Sequence, residues 1–437
     1  MFKRILVANR GEIALRVIRA CRKLGIESVA VHSTADAGSP HLDEADQVVC
    51  VGGGKSAESY LDMTAILQAA EQTESKAIHP GYGFLAENAL FAEMCHQMKF
   101  SFIGPPPRVI RLMGDKATAR RTMQAAGLPV VPGSEGLVGR ADQALALARE
   151  MGFPVLLKAT AGGGGKGMRV CRDADTFGDQ FEAARLEALK AFGNPGLYIE
   201  KFIEGGRHIE FQFMADAFGH AVHLGERECS VQRNHQKLVE ESPSPVIDAA
   251  RRAEMGARVC EGVRAIGYVG AGTMEFLRDP DGHLYFMEVN TRLQVEHPVT
   301  EMVTGLDLVE AQIRVAANQA LDWRQEAIVL RGHAIECRVN AEDPFDGFKP
   351  SPGVVTRFAP PERAAGVRVR VDSHVRDGYR IPPYYDSMIA KLIVAGPDRE
   401  TARLGMLDAL EQFTVEGVKS TIPVHRKILA DARFVSG

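Results

Sequence analysis

Over the first hundred residues, short apolar runs alternate with longer amphipathic stretches. Residues 5–8, 28–31, 47–51 and 77–78 read as buried strands, and a further strand is expected near Phe102. Residues 12–24 carry apolar positions at helical spacing and stop before Gly25, which suits a C-cap. Residues 86–97 read as another helix. This alternation predicts an open, mostly parallel α/β sheet. Gly104-Pro105-Pro106-Pro107 punctuates its end. One linker helix is expected over 109–126, and the Gly127 to Pro132 stretch marks a second boundary. A small segment built around 154–170 follows. The remainder is strand-rich in its first half and reads as a larger α+β unit. The expected units are therefore 1–114, a helical linker over 115–130, 131–204 and 205–437, with no internal repeat.

A length of 437 residues suits about three units of ordinary size. The chain is 45% hydrophobic and 25% charged, which is ordinary globular composition. A net charge of −4 offers no basic field to nucleic acid or an anionic membrane, so neither is an expected partner. The seven cysteines are odd in number and none has C-x-x-C spacing. A disulfide framework or thiolate zinc site is not expected, and a reducing cytoplasm fits. The apolar run near Met1 is too short for a signal peptide, and no stretch is long enough to span a bilayer.

Several apparent motifs fail on inspection. Gly52-Gly53-Gly54-Lys55-Ser56 resembles the end of a P-loop, but Val49 stands where its first glycine belongs. Gly165-Lys166 fails likewise, with Thr160 in that place and Gly167 where a hydroxyl is needed. The first strand leads into Asn9-Arg10-Gly11-Glu12, not the glycine fingerprint of a dinucleotide site. His220 and His223 have ligand-like spacing but no third ligand nearby, and read as satisfied strand histidines.

Chemistry is more plausible in the stretch from Met287 to Glu296. As a strand, it would put Glu288, Asn290, Arg292, Gln294 and Glu296 on one face. Such a face is either merely solvated or a site where carboxylate and amide oxygens bind magnesium and an arginine binds an oxyanion. Asp279-Pro280-Asp281-Gly282 signals a turn just before it. If residues 278 and 283 pair across that turn, 275 lies opposite 286, and Glu275 and Glu288 become diagonal neighbours able to share magnesium. Four glycines, 162–165, between Lys158 and Lys166 form either a loose hairpin or a lid whose N–H groups cradle phosphate. The run from Leu197 to Glu204 is either a plain core strand or a connector presenting backbone groups to an adenine edge.

Taken together and in this order, these elements resemble the ATP-grasp superfamily. His79-Pro80-Gly81-Tyr82-Gly83-Phe84-Leu85-Ala86-Glu87-Asn88 and Glu228-Cys229-Ser230-Val231-Gln232-Arg233-Asn234-His235-Gln236-Lys237 narrow the resemblance to biotin carboxylases, as do the stretches from Glu288 to Pro298 and Pro383 to Met388. The resemblance implies an N-terminal open parallel α/β sheet followed by an ATP-grasp fold with a small mobile lid domain. It implies ATP contacts at Lys116, Lys158, Gly164, Gly165, Glu200, Lys201, Ile203, His208, Gln232, His235, Glu275 and Glu288. Glu275, Glu288 and Asn290 would be magnesium ligands for two ions, with manganese an alternative. Lys237, Arg292, Gln294 and Val295 would form the bicarbonate and phosphate pocket. Glu296 would be the general base, Arg338 the group that steadies biotin's enolate, and Tyr82 a biotin contact.

The implied activity is carboxylation of biotin by ATP and bicarbonate through carboxyphosphate, as the first half-reaction of acetyl-CoA carboxylase. Propionyl-CoA and pyruvate are alternative acceptors. No Ala/Val-Met-Lys-Met sequence is present to receive biotin. Biotin is therefore expected on a separate carrier protein, and the carboxyltransferase on another chain. Arg16 and Arg19 match homodimer positions of the family. Asn234 stands where a basic residue is expected, and Lys166 where an arginine is expected in the lid. The rival readings are another ATP-grasp ligase, which gives no reason for Tyr82, Arg338 or the 228–237 run, and a non-catalytic nucleotide-binding subunit, which would be expected to have lost metal or base residues.

Overall fold

The opening apolar runs pair side by side. A computed structural model describes residues 1–159, 167–364 and 366–437. Its first unit joins β1 (Arg4–Val7), α1 (Gly11–Lys23), β2 (Glu27–Ser33), β3 (Gln47–Gly52), α2 (Met63–Gln72), β4 (Ala77–His79), α3 (Ala89–Gln97) and β5 (Ser101–Phe102). The five strands form an all-parallel sheet in the order β3-β2-β1-β4-β5. Ile5, Leu6 and Val7 are wholly buried because helices cover both faces of such a sheet. The helix expected from residue 86 starts three residues later, where the Asn88 side chain accepts the Phe91 N–H at 2.9 Å and caps it. At the strand ends, Asn9 Nδ2 donates to the carbonyls of Pro80 and Tyr82 at 2.7 and 2.8 Å. Gly81, at φ +63°, permits this approach: a Cβ there would lie 2.9 Å from that amide nitrogen.

The single linker helix expected over 109–126 is two helices, α4 (Pro107–Gly114) and α5 (Lys116–Ala125). Asp115 breaks the run by leaving helical conformation and accepting the Thr118 N–H at 2.7 Å. The break aims α5 separately and brings Lys116 to the cleft. After α6 (Ala141–Met151), a small sheet forms from β6 (Val155–Ala159), β7 (Met168–Cys171) and, beyond α7 (Phe177–Phe192), β8 (Leu197–Lys201), in the order β7-β6-β8. Both partners run antiparallel to β6, and α6 and α7 cover the sheet around Phe177 and Phe181. Gly164, Gly165 and Lys166 lie outside the described residues.

The largest sheet has eight strands. It takes β9 (Arg207–Ala215), β10 (Ala221–Arg233), β11 (Gln236–Ser242) and, after α8 (Ala249–Ala265), β12 (Gly270–Arg278) and β13 (Leu284–Asn290). After α9 (His297–Thr304) and α10 (Leu308–Ala316), β14 (His333–Asn340) joins, and strands Met388–Gly396 and Arg368–Asp372 complete the far edge. The order is β13-β12-β9-β10-β11-β14, then Met388–Gly396, then Arg368–Asp372. All seven cysteines are free, with only Cys50 exposed. His220 and His223 are partnered, through Leu321 O at 3.2 Å and the Gly225 N–H at 3.4 Å. Among the described residues, no helix is long and apolar enough to cross a membrane.

Two expectations around β13 are corrected. Glu275 pairs directly with Glu288, while Phe276 pairs with Phe286, so the register shifts between them. The extra residue is Met287, which bulges outward and is 42% exposed. Nor does the strand continue to residue 296. It ends at Asn290, and the chain turns because Leu293 is buried in the core beneath α1 and α10. Pro298 then occupies the first turn of α9.

Asn234 has a backbone reason. Arg233 pairs with Gln236, so Asn234 and His235 are the whole loop, at φ +49° and +65°. Two-residue loops of this hand match strand twist, and Asn tolerates them. We expect Asn234→Val to lower stability by about 1–2 kcal/mol, and Asn234→Gly to be nearly neutral, in urea unfolding.

Candidate active site

The cleft lies between the face of the large sheet and the small sheet, in a cavity of about 810 Å³. That volume suits a nucleotide-sized ligand. It is lined by every ATP, magnesium, bicarbonate and catalytic candidate named above except the undescribed Gly164 and Gly165. Strand alternation explains much of this convergence. Glu275 comes from β12, Glu288 and Asn290 from β13, His208 from β9, Lys237 from β11 and Arg338 from β14.

Lys237 and Arg338 meet on Glu296. Lys237 Nζ lies 2.7 Å from Glu296 Oε1, 2.6 Å from Glu210 Oε2 and 3.0 Å from Glu275 Oε1. Arg338 Nη2 donates to Glu296 Oε2 at 3.0 Å, and its Nε to Glu240 Oε1 at 2.6 Å. Burial pushes Glu296 toward its neutral form, but Lys237, Arg338 and Arg227 outweigh it and hold the carboxyl well below its ordinary range. Burial pushes Glu240 up to about 7, despite Arg338. Around neutral pH, Glu296 is therefore the firmer counter-ion of that guanidinium.

Arg292 is held by Glu87 Oε2 at 2.9 Å and reaches Asn290 Oδ1 at 3.3 Å. Gln294 Nε2 donates to Glu275 Oε1 at 2.9 Å. The Asn290 amide donates to the same oxygen at 2.9 Å. Glu275, Glu288 and Asn290 thus present hard oxygen donors on two paired strands, and that donor chemistry fits magnesium. Lys116 Nζ lies 2.9 Å from Glu288 Oε2. His208 Nε2 lies 3.1 Å from Glu275 Oε2, and its Nδ1 meets Gln232 at 3.1 Å. On the small sheet, Lys158 pairs with Glu200. The Lys201 ammonium is occupied by the carbonyls of Gly152 and Phe153 at 2.9 and 3.1 Å. Apart from Lys201, each of these cleft cations therefore faces a carboxylate.

Tyr82 does not line the cavity. Its hydroxyl donates to Glu12, and its ring centroid lies 5.9 Å from Lys391 Nζ. Arg16 is engaged within the chain by Glu301 and Asp307 at 2.9 and 2.7 Å, and Arg19 by Glu44 at 2.6 Å.

Sequence reasoning missed Glu87, Glu210, Glu240 and Arg227. Arg227 is wholly buried and binds Glu210, Gln212, Thr273, Gln294 and Thr300 at 2.5–3.2 Å. The signal for Glu210 was available. His208, Glu210 and Gln212 alternate with Ile209, Phe211 and Phe213, which puts three polar groups on one face of β9.

Three family models tile the chain. The biotin carboxylase N-terminal domain matches residues 1–110, the ATP binding domain of the carbamoyl-phosphate synthase L chain 115–324, and the biotin carboxylase C-terminal domain 336–437. The biotin carboxylase of Nostoc sp. is 56% identical over 436 residues, covering 100% of this chain and 97% of its own. Biotin carboxylase 1 of Bacillus subtilis is 53% identical over 438 residues, with the same coverage. Among solved structures, the biotin carboxylase domain dimer of Hydrogenobacter thermophilus 2-oxoglutarate carboxylase, in complex with MgADP, ADP and bicarbonate, superposes with a TM-score of 0.91 at 49% identity. That match covers 100% of this chain and 95% of the other.

Proposed function

The chain belongs to the biotin carboxylase family and is an ATP-dependent ligase, and from that premise we propose that it carboxylates biotin on a separate carrier protein, using ATP and bicarbonate, as the first half-reaction of acetyl-CoA carboxylase. The observation that carries the mechanism is Glu296 fixed between Lys237 and Arg338 beside the Glu275–Glu288–Asn290 donors. Glu275, Glu288 and Asn290 would hold magnesium, which neutralises nucleotide phosphate charge.

Binding must exchange the cleft's internal pairs. Lys116 leaves Glu288, and Lys158 leaves Glu200, to meet phosphate oxygens. Glu200, Lys201 and Ile203, at and just past the end of β8, meet the adenine edge. His208, Gln232 and His235 flank the nucleotide, and the phosphate-contact roles of Gly164 and Gly165 rest on the resemblance alone.

Bicarbonate takes Lys237, Arg292, Gln294 and Val295 as partners. As its anion draws Lys237 off Glu296, burial acts on a less neutralised carboxylate and raises its basicity. Glu296 then accepts the bicarbonate proton, and the freed oxygen attacks the γ-phosphorus as ADP leaves. Carboxyphosphate breaks down to carbon dioxide and phosphate. The phosphate takes the ureido N–H proton of biotin, that nitrogen bonds to carbon dioxide, and Arg338 stabilises the negative charge on the ureido oxygen. For Tyr82, which lies outside the cavity, a contact with biotin rests on the resemblance alone.

A homodimer, the state of the Hydrogenobacter relative, fits Arg16 and Arg19 on α1. A carrier protein and a carboxyltransferase supply the remaining steps in the cytoplasm. The acyl acceptor belongs to that partner, so propionyl-CoA or pyruvate carboxylation uses the same chemistry here.

The test is ADP release with magnesium and bicarbonate, with and without free biotin. Strong stimulation by biotin is expected. Release driven by an amine or purine intermediate would sink the reading in favour of another ATP-grasp ligase. Nucleotide binding without any release would favour a non-catalytic subunit.

A further inference from the structure

We infer that Lys391 is a positioning residue for the loop carrying Gln294, Val295 and Glu296, an inference that rests on the carboxylation reading above. Lys391 is wholly buried on strand Met388–Gly396, opposite Arg338 of β14. Its ammonium donates to the Val295 carbonyl at 3.0 Å. It also lies 3.2 Å from Glu12 Oε1, 3.8 Å from Asp372 Oδ2 and 5.9 Å from the Tyr82 ring centroid. Those four groups come from four separate segments of the chain. Lys391 therefore ties the N-terminal unit to the far edge of the large sheet and to the active-site loop at one atom.

Charge balance alone does not require the Val295 contact, because Glu12 and Asp372 already face the ammonium. The contact has a geometric effect. A peptide group is planar, so fixing the Val295 carbonyl fixes the plane that leads into Glu296. One peptide earlier, His297 Nδ1 meets the Gln294 carbonyl at 2.8 Å. Neither Lys391 nor His297 lines the cavity, whereas Gln294, Val295 and Glu296 do. The loop is thus gripped by its carbonyls from within the protein. The N–H groups of Val295 and Glu296 have no protein acceptor among the described residues, which leaves them for an anion in the cleft. A loop set this way holds bicarbonate and the base Glu296 in one register.

The experiment compares Glu12→Gln with the charge-balanced pair Glu12→Gln/Lys391→Met, and native with Lys391→Met, by ADP release at varied bicarbonate and varied ATP. On either background, loss of Lys391 is expected to raise the KM for bicarbonate by about 10- to 100-fold, with the KM for ATP and ADP binding nearly unchanged. If the pair matches Glu12→Gln in bicarbonate KM, Lys391 only neutralises Glu12 and the inference is overturned. If Lys391→Met alone fails to fold, the pair decides. If the pair also fails to fold, Lys391 is a folding residue and the inference is again overturned. A native chain without bicarbonate- and biotin-dependent turnover would refute the carboxylation reading first, and this inference with it.

Discussion

Glu296→Gln is expected to reduce biotin-dependent ADP release by about 10²- to 10⁴-fold while leaving ADP binding intact. Glutamine keeps the shape, but its one amide oxygen can meet either Lys237 or Arg338 and not both, and it cannot accept the bicarbonate proton. The fall should appear at saturating bicarbonate, because the lost step is chemical. A variant with more than a tenth of native turnover would exclude Glu296 as the base.

The same substitution carries a signature in stability. Burial opposes ionisation of Glu296, but Lys237, Arg338 and Arg227 overcome it and depress its folded-state pKa. A depressed carboxyl stabilises the fold above its unfolded pKa, about 4.3, and that contribution is lost as pH falls through the folded value. Glu296→Gln should therefore be less stable than native near pH 7, and the gap should narrow in acid below the unfolded pKa. Urea unfolding across that range measures it. A gap independent of pH would mean that Glu296 gains nothing from its cations.

Arg227→Met is expected to cost about 3–5 kcal/mol in urea unfolding, the usual loss when one partner of a buried ion pair is removed. The guanidinium has no exposed surface and organises groups on β9, β12, α9 and the active-site loop. Methionine fills similar volume but leaves Glu210 with Lys237 as its remaining close cation. Adding Glu210→Gln should recover part of the loss, since it removes one of the three carboxylates left sharing Lys237. Gln294 would lose the 2.7 Å bond that orients its carbonyl, so the KM for bicarbonate should rise as well. A cost below about 1 kcal/mol, typical of an ordinary hydrogen bond, would show that the network tolerates the gap.

What was legible in the sequence follows from how local each cause is. The β1–β5 strands show because each is a short apolar run bounded by turn residues, and nothing distant is needed to bury it. The break at Asp115 is also local. A carboxylate three residues before a free N–H is a helix start, so reading one helix across it undervalued the cap. The path after Asn290 was hidden. Alternation through Glu296 looked like a strand, but the burial of Leu293 against α1 and α10 decides it, and those helices lie far away in sequence. Met287 bulges for a similar reason, since register is set by packing across the hairpin. Arg227 sits in a charged run, Glu226-Arg227-Glu228, that looks solvated. Its partners come from positions 210, 212, 273, 294 and 300, so only the assembled sheet explains it.

The eight-stranded sheet has a consequence during synthesis. β11 is complete at Ser242, yet the strand that covers its edge, β14, starts at His333. About 90 residues must emerge between them, which takes roughly 5–20 s at ordinary ribosome speeds. Through that interval the nascent chain presents an open strand edge, with backbone donors and acceptors free to pair with a neighbouring chain. Yield of this protein should therefore depend on how well a cell's chaperones shield ribosome-bound chains, more than on the stability of the finished fold.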